Sequence, residues 1–446
     1  MGKLFGTDGV RGIANKDLTP ELANQLAKAS AEIFIKGEKG TVVIGKDTRQ
    51  SGDLLEAAMV SGFLAMGVDV VLLGVIPTPA VAYITRKIQA GMGVMISASH
   101  NPYEYNGIKF FNQDGFKLRD EVEEEIETYI LRGVKESSNP TGKEIGKILP
   151  FQTSENVYGD FVKSSINNDF SGMKVAMDLA NGAAYKVAPM VFRSLGAEVI
   201  AVHNQPDGVN INDGCGSTYP EVLKEIVVEH QCDLGLSFDG DADRLIAVDE
   251  KGQVVDGDQI MAICGSFLKE KNQLKADTVV ATVMSNIGLS LALKEKGIHL
   301  KQTKVGDRYV LEEMKDKGFS LGGEQSGHLI FLDHNTTGDG LLSALKLGEI
   351  IKEKNVPLSQ LAGMMEKFPQ TLVNAKVPNE NKHGLTEIPM IKKEIRRLED
   401  LLNQEGRVLV RPSGTEPLVR VMIEGKNLDE IQSFATNLVK MIEEQF

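Results

Sequence analysis

Three aspartates at alternate positions, Asp239, Asp241 and Asp243, follow the apolar run Leu234-Gly-Leu-Ser-Phe238 and precede Arg244. Like charge at that density repels itself. A bound hard cation is the natural reason to keep it, and three carboxylate oxygens suit an octahedral Mg²⁺ site. The two-residue spacing places the three side chains on one face of an extended segment. Arg244 stands where it can hold a phosphate beside the metal. An EF-hand is excluded, because Arg244 occupies the sixth position, where that loop needs glycine, and both flanks read as strands. A second cluster, Ser97-Ala-Ser99-His100-Asn101-Pro102, ends the apolar run Val94-Met-Ile96. Ser99 sits at the turn beside His100 and short of the proline, so it is the better nucleophile of the two serines. Together these clusters indicate metal-assisted phosphoryl transfer to a seryl hydroxyl.

Weaker constellations add parts to that chemistry. Lys109, downstream of the serine cluster, can donate or accept a proton or pair with phosphate. In Gly322-Gly-Glu324-Gln-Ser326-Gly-His328, glycines leave room for a ligand. There Glu324 and Ser326 can bond vicinal sugar hydroxyls, and His328 titrates near neutrality. Upstream, Asp307 and Arg308 lie in a second glycine-containing loop. Arg411-Pro-Ser413-Gly414-Thr415-Glu-Pro417 groups hydroxyls and exposed backbone N–H groups with Arg411 and Arg420, an anion cradle that lacks the Gly-Lys-Ser/Thr of a Walker loop. Arg11, in a glycine-rich N-terminal stretch, can line a cleft.

The elements that must position these residues alternate along the chain. Buried strands are expected at Thr41–Ile44, Val68–Leu73 and Gly93–Ile96. The pattern restarts at Lys174–Asp178, Ala197–Val202 and Leu234–Phe238, and again at Thr278–Val283, Lys301–Val305 and His328–Leu332. Helices over 20–36 and 54–65 separate the first group, with Ser51 the expected cap of the second helix. Repeated βαβ units imply parallel or mixed sheets covered by helices. Polar stretches divide the chain into α/β domains over 1–150, 151–255 and 256–368 and a smaller α+β domain over 369–446, with strands at 407–410 and 418–423. The length, 446 residues, is too great for one core. A net charge of −13 argues against a nucleic-acid or anionic-membrane surface. Three cysteines without metal-ligand spacing indicate free thiols in a reducing compartment. No apolar run reaches the length of a membrane span, no targeting core opens the chain, and a cytoplasmic location is expected.

Taken in order, these motifs resemble those of the α-D-phosphohexomutase superfamily over the whole chain. The opening Phe5-Gly-Thr-Asp8-Gly-Val-Arg11-Gly12, the Ser-Ala-Ser-His-Asn-Pro form of the serine loop, Cys215-Gly-Ser-Thr, Val305-Gly-Asp-Arg-Tyr309 and Gly-Glu-Gln325-Ser-Gly-His resemble its amino-sugar branch. Relatives acting on mannose or glucose phosphates carry Met or Glu at the position of Gln325. The resemblance implies a four-domain α/β fold around a central cleft, three domains with mixed sheets and a smaller C-terminal α+β domain, each lending one loop. It implies a phosphate carried on Ser99 and one Mg²⁺ bound by that phosphoserine with Asp239, Asp241 and Asp243. Catalytic roles fall to Ser99, His100, Lys109, Arg244 and His328. Substrate contacts fall to Arg11, Asp307, Glu324, Ser326, Arg411, Ser413, Gly414, Thr415 and Arg420. The implied reaction converts glucosamine 6-phosphate to glucosamine 1-phosphate through a glucosamine 1,6-bisphosphate, with glucose 1,6-bisphosphate as activator, and feeds cell-wall precursors. Sugar phosphates are the expected partners; homodimerisation is left open. Rival expectations are a mutase of mannose or glucose phosphates, a phosphomonoesterase that passes the phosphate to water, and a silent sugar-phosphate sensor.

Overall fold

Apolar runs buried on both faces become the parallel strands at the centre of three mixed sheets. In Thr41–Lys46, for example, Val42, Val43 and Ile44 are all fully buried, as a parallel strand between two helical layers requires. The computed structural model describes residues 4–6, 8–34, 40–133, 140–382, 384–403, 405–413 and 416–446.

The first sheet has six strands in the order Val10–Ile13, Tyr105–Asn112, Met92–Ile96, Thr41–Lys46, Asp69–Val75, Ile148–Leu149. The second has five, in the order Val254–Val255, Leu245–Asp249, Leu234–Phe238, Lys174–Asp178, Glu198–Val202. The third has four, His299–Thr303, Thr278–Thr282, Leu321–Gly323 and Leu329–Phe331. A three-stranded antiparallel sheet, Gln370–Lys376, Leu418–Glu424 and Arg407–Pro412, carries the helices Pro389–Leu401 and Leu428–Glu443.

One device recurs in the first three sheets. Met92–Ile96 pairs parallel with Thr41–Lys46 on one side and antiparallel with Tyr105–Asn112 on the other. Leu234–Phe238 does the same between Lys174–Asp178 and Leu245–Asp249, and Leu321–Gly323 between Thr278–Thr282 and Leu329–Phe331. The hinge of each hairpin is the serine loop, the aspartate loop and the Glu324–His328 loop respectively. All three therefore leave the carboxyl end of a parallel strand, where open α/β sheets gather functional groups.

The helices follow the expected periodicity, with one correction at a cap. The second runs Ser51–Ala65, so Ser51 is its first residue; Gln50 occupies the capping position without a side-chain bond. Ser51 Oγ instead accepts from Asn106 Nδ2 at 2.9 Å, because it faces the strand Tyr105–Asn112. Asp339 caps Gly340–Lys354 by accepting from Leu342 N–H at 2.9 Å, and it also takes the Tyr158 hydroxyl at 2.6 Å.

The chain forms two compact units, Met1–Met284 with Ile298–Met364, and Ser285–Gly297 with Met365–Phe446. Among the described residues no helix is long and apolar enough to cross a membrane.

Candidate active site

Ser99 takes φ 53°, a left-handed conformation that a serine keeps only when its surroundings over-determine it. Those surroundings are buried and polar. Asp47 accepts from Ser97 Oγ at 2.5 Å and from Arg49 Nε at 3.0 Å. Arg49 in turn donates to the carbonyls of Ser99, Asn101 and Pro102 at 2.8–3.0 Å. Asn212 Nδ2 donates to the carbonyls of Ser99 and Asn101 at 2.9 and 3.0 Å. With its backbone clamped, Ser99 directs its hydroxyl to Asp239 Oδ2 at 2.6 Å, and Oγ lies 3.3 Å from His100 Nδ1. The serine and aspartate loops meet. Gly240 permits the approach: a Cβ there would lie 2.5 Å from the Ser99 carbonyl.

Asp239, Asp241 and Asp243 each bring one oxygen within 4.8 Å of the others. A tight turn gathers them, not the extended segment their spacing suggests. Ala242 takes φ 55° and its N–H donates to the Asp239 carbonyl at 3.0 Å. Burial, followed by the charges of Asp243 and Asp241, pushes Asp239 up to about 8. Asp241 Oδ1 and Asp243 Oδ1 are buried without a hydrogen-bond partner. Crowded negative charge and orphaned oxygens are what a hard divalent cation relieves, so these residues fit Mg²⁺.

Around the aspartates runs a closed ring of alternating charge. Lys109 Nζ lies 2.8 Å from Asp241 Oδ2, 3.0 Å from Asp8 Oδ2 and 3.6 Å from Asp243 Oδ2. Lys117 Nζ lies 2.6 Å from both Asp8 and Asp307. His328 completes the circuit, with Nε2 at 3.5 Å from Asp307 and Nδ1 at 3.6 Å from Asp243. Burial works against the charge of Lys109, yet Asp241, Asp8 and Asp243 hold its pKa well above the ordinary lysine value. His328 is likewise opposed by burial and held up by Asp243 and Asp307. Gly338 N–H donates to His328 Nε2 at 3.1 Å, a contact that suits the neutral ring with its proton on Nδ1. The two carboxylates favour the charged imidazole, and the Gly338 contact favours the neutral one.

On the far side of Ser99 the charge reverses. Arg244 Nη1 lies 3.0 Å from His100 Nδ1. Burial, Arg244 and Arg11 together lower the His100 pKa, keeping that imidazole neutral. Arg11 pairs with Asp8 through one terminal nitrogen, and the Nε atoms of Arg11 and Arg244 are both buried without a hydrogen-bond partner. Arg244 Nε also lies 3.9 Å from Asp243 Oδ1, so the guanidinium stands between the aspartate cluster and His100. In the third loop Glu324 Oε1 accepts from Gly306 N–H at 3.2 Å, and Ser326 is exposed. Gln325 Nε2 donates to Asp256 at 3.3 Å.

The smaller unit holds the remaining candidates. Arg411 and Arg420 face each other directly across antiparallel strands. Burial and Arg420 lower the Arg411 pKa. Lys382, buried, donates to the carbonyls of Ser413 and Glu416 at 2.8 and 3.0 Å and so braces the turn. Arg420 Nη2 also lies 3.4 Å from Glu416 Oε2, which offsets part of the repulsion between the two cations. Gly414 and Thr415 lie outside the described residues.

Sequence reasoning misses Asp8, Asp47, Arg49, Thr78, Lys117, Asn212 and Lys382 as parts of these sites. Thr78 Oγ1 donates to Asp241 Oδ2 at 2.5 Å. Asp47 and Arg49 follow an apolar strand as a polar run, a signal open to a closer reading. Lys117 has no local signal, since its partners stand 109 and 190 residues away.

Four family models match, described as phosphoglucomutase/phosphomannomutase alpha/beta/alpha domain I over residues 2–136, domain II over 156–252, domain III over 256–368 and the C-terminal domain over 372–441. The chain belongs to the phosphoglucomutase/phosphomannomutase family. Within that family it is 60% identical over 444 residues to a phosphoglucosamine mutase of Alkaliphilus metalliredigens, covering 99% of each chain. To the phosphoglucosamine mutase of Clostridioides difficile it is 57% identical over 446 residues, covering 100% of each. Among solved structures, a phosphoglucomutase/phosphomannomutase family protein of Burkholderia thailandensis matches in fold with a TM-score of 0.82 at 24% identity, over 99% of this chain and 98% of that one. An N-acetylphosphoglucosamine mutase of Aspergillus fumigatus, solved with GlcNAc-6P and magnesium, matches with a TM-score of 0.68 at 17% identity, over 99% and 95%.

Proposed function

We propose that this protein is a phosphoglucosamine mutase that interconverts glucosamine 6-phosphate and glucosamine 1-phosphate through a phosphoserine at Ser99 and a 1,6-bisphosphate. The observation that carries the reading is the 2.6 Å contact between Ser99 Oγ and Asp239 Oδ2, which puts the hydroxyl against the aspartate cluster. Full-length relatives at 57–60% identity that bear this name support the substrate.

Asp239, Asp241 and Asp243 would hold Mg²⁺ with the seryl phosphate, supplying Lewis-acid stabilisation of charge on the transferred group. The chain does the rest. The clamped backbone of Ser99 fixes the in-line direction of its oxygen, the positioning on which phosphoryl transfer chiefly depends. Arg11 and Arg244 offset the charge on the equatorial phosphate oxygens, and neutral His100 adds a hydrogen bond. Glu324 and Ser326 bind sugar hydroxyls, and Asp307 faces the substrate from the charged ring. Arg411, Ser413, Gly414, Thr415 and Arg420 grip the phosphate that stays on the sugar. As the phosphoserine donates to the sugar O1, His328 accepts the hydroxyl proton. Lys109, held charged, offsets the negative charge that returns to Ser99. The bisphosphate then presents its O6 phosphate to Ser99, His328 returns its proton to the departing O6, and the cycle closes on the phosphoserine.

The test is an assay of purified protein on each sugar 6-phosphate. The highest kcat/KM is expected for glucosamine 6-phosphate. A higher value for mannose or glucose 6-phosphate would reassign the substrate, and inorganic phosphate released without a 1-phosphate product would make it a phosphatase.

A further inference from the structure

Cys215, singled out in the sequence, has no part in the reaction derived above, yet it stands in a cluster with the chemistry of a metal site. We propose that Asp178, His203 and Cys215 form a second cation site, selective for a borderline-soft divalent ion such as Zn²⁺ and distinct from the aspartate site. Asp Oδ, His Nδ1 and Cys Sγ lie within 4.8 Å of one another, the spacing of the corners of one coordination sphere. One thiolate, one imidazole and one carboxylate suit Zn²⁺, whereas the all-oxygen aspartate cluster suits Mg²⁺. The three come from separate segments. Asp178 ends the strand Lys174–Asp178, His203 follows the neighbouring strand Glu198–Val202, and Cys215 lies in the loop beyond.

His203 Nδ1 is buried and lies 3.1 Å from Asp178 Oδ1, a pairing that holds the His203 pKa up, so a cation entering the cluster takes the place of the ring proton between them. Asp178 is rigid, because its two oxygens accept from Ala180 N–H at 2.9 Å and Gly216 N–H at 3.0 Å. Cys215 is fully buried and its thiol is free. The His203 side chain keeps 29% of its surface exposed, which leaves an entry path and an open fourth position for water. Binding replaces the thiol proton with the metal and releases that proton to solvent. Burial, with Asp178 and Asp213, holds the thiol up to about 12, so the free cluster stays protonated.

The test uses the full-length protein, stripped with chelator, incubated with Zn²⁺ in excess Mg²⁺ and desalted. One equivalent of zinc should remain. Co²⁺ in its place should give a near-ultraviolet sulfur-to-cobalt charge-transfer band. Cys215→Ala and His203→Ala should each lose the equivalent and the band, while Cys232→Ser and Cys264→Ser keep both. His203 is partly exposed, so its variant reports even if Cys215→Ala fails to fold. No zinc retained by the wild type, equal retention by His203→Ala, or cobalt bound without the thiolate band would overturn the proposal.

Discussion

Ser99 is constrained on three sides at once: a positive φ, a backbone clamped by Arg49 and Asn212, and a hydroxyl drawn to Asp239. A residue held this way has little purpose other than to present its oxygen in one direction. Ser99→Ala is therefore expected to reduce mutase turnover to background while sugar-phosphate binding, read by calorimetry, persists; near-normal turnover would remove the serine from the mechanism. The aspartates make an opposite kind of claim, because without a cation they oppose each other. Asp239→Asn should abolish turnover yet raise the melting temperature of the chelator-treated protein by roughly 1–2 °C, about 1 kcal/mol for a unit of this size. A lower melting temperature would mean the cluster is not repulsive. The types and spacing of these residues show both loops in the sequence. The turn at Ala242 is not legible there, because the left-handed residue is an alanine and not the expected glycine.

Loops work here because each leaves the junction of a parallel and an antiparallel pair, so the backbone on both sides is fixed by a ladder. Gly240 tests how tight that junction is. A Cβ at Gly240 would meet the Ser99 carbonyl at 2.5 Å and Asn212 Nδ2 at 2.9 Å. Gly240→Ala should push the serine loop off the aspartates and lower kcat by ~10²-fold with KM little changed, the usual effect of a displacement near 1 Å. An unchanged kcat would show that the loops tolerate separation. Periodicity locates most of the buried parallel strands, which are unbroken apolar runs, but not strands such as Val10–Ile13, Tyr105–Asn112, Leu321–Gly323 and Gln370–Lys376, and it gives bounds to only two of the helices. The hairpin common to the three sheets stays hidden, because pairing direction depends on chain reversal and not on residue type, and the three hairpins share no sequence.

At the scale of the molecule, Lys117 is what the sequence hides best. It joins Asp8, near the first sheet, to Asp307, which follows the third, and it closes the charged ring around the site. Lys117→Met leaves two half-buried carboxylates short of a partner and should destabilise the larger unit by about 1–3 kcal/mol in denaturant unfolding. A change within experimental error would show that the ring is ornamental. The smaller unit makes its own contribution: Arg420→Ala should raise KM for sugar phosphates about tenfold, one charge-assisted hydrogen bond, without altering phosphorylation of Ser99. The most direct test of the account is transfer of label from radiolabelled glucosamine 1,6-bisphosphate to the protein, followed by peptide mapping, with and without chelator. Label is expected on Ser99 alone, lost with chelator and in Asp241→Asn. Label on another residue, or labelling of Ser99 indifferent to both the chelator and Asp241→Asn, would contradict it.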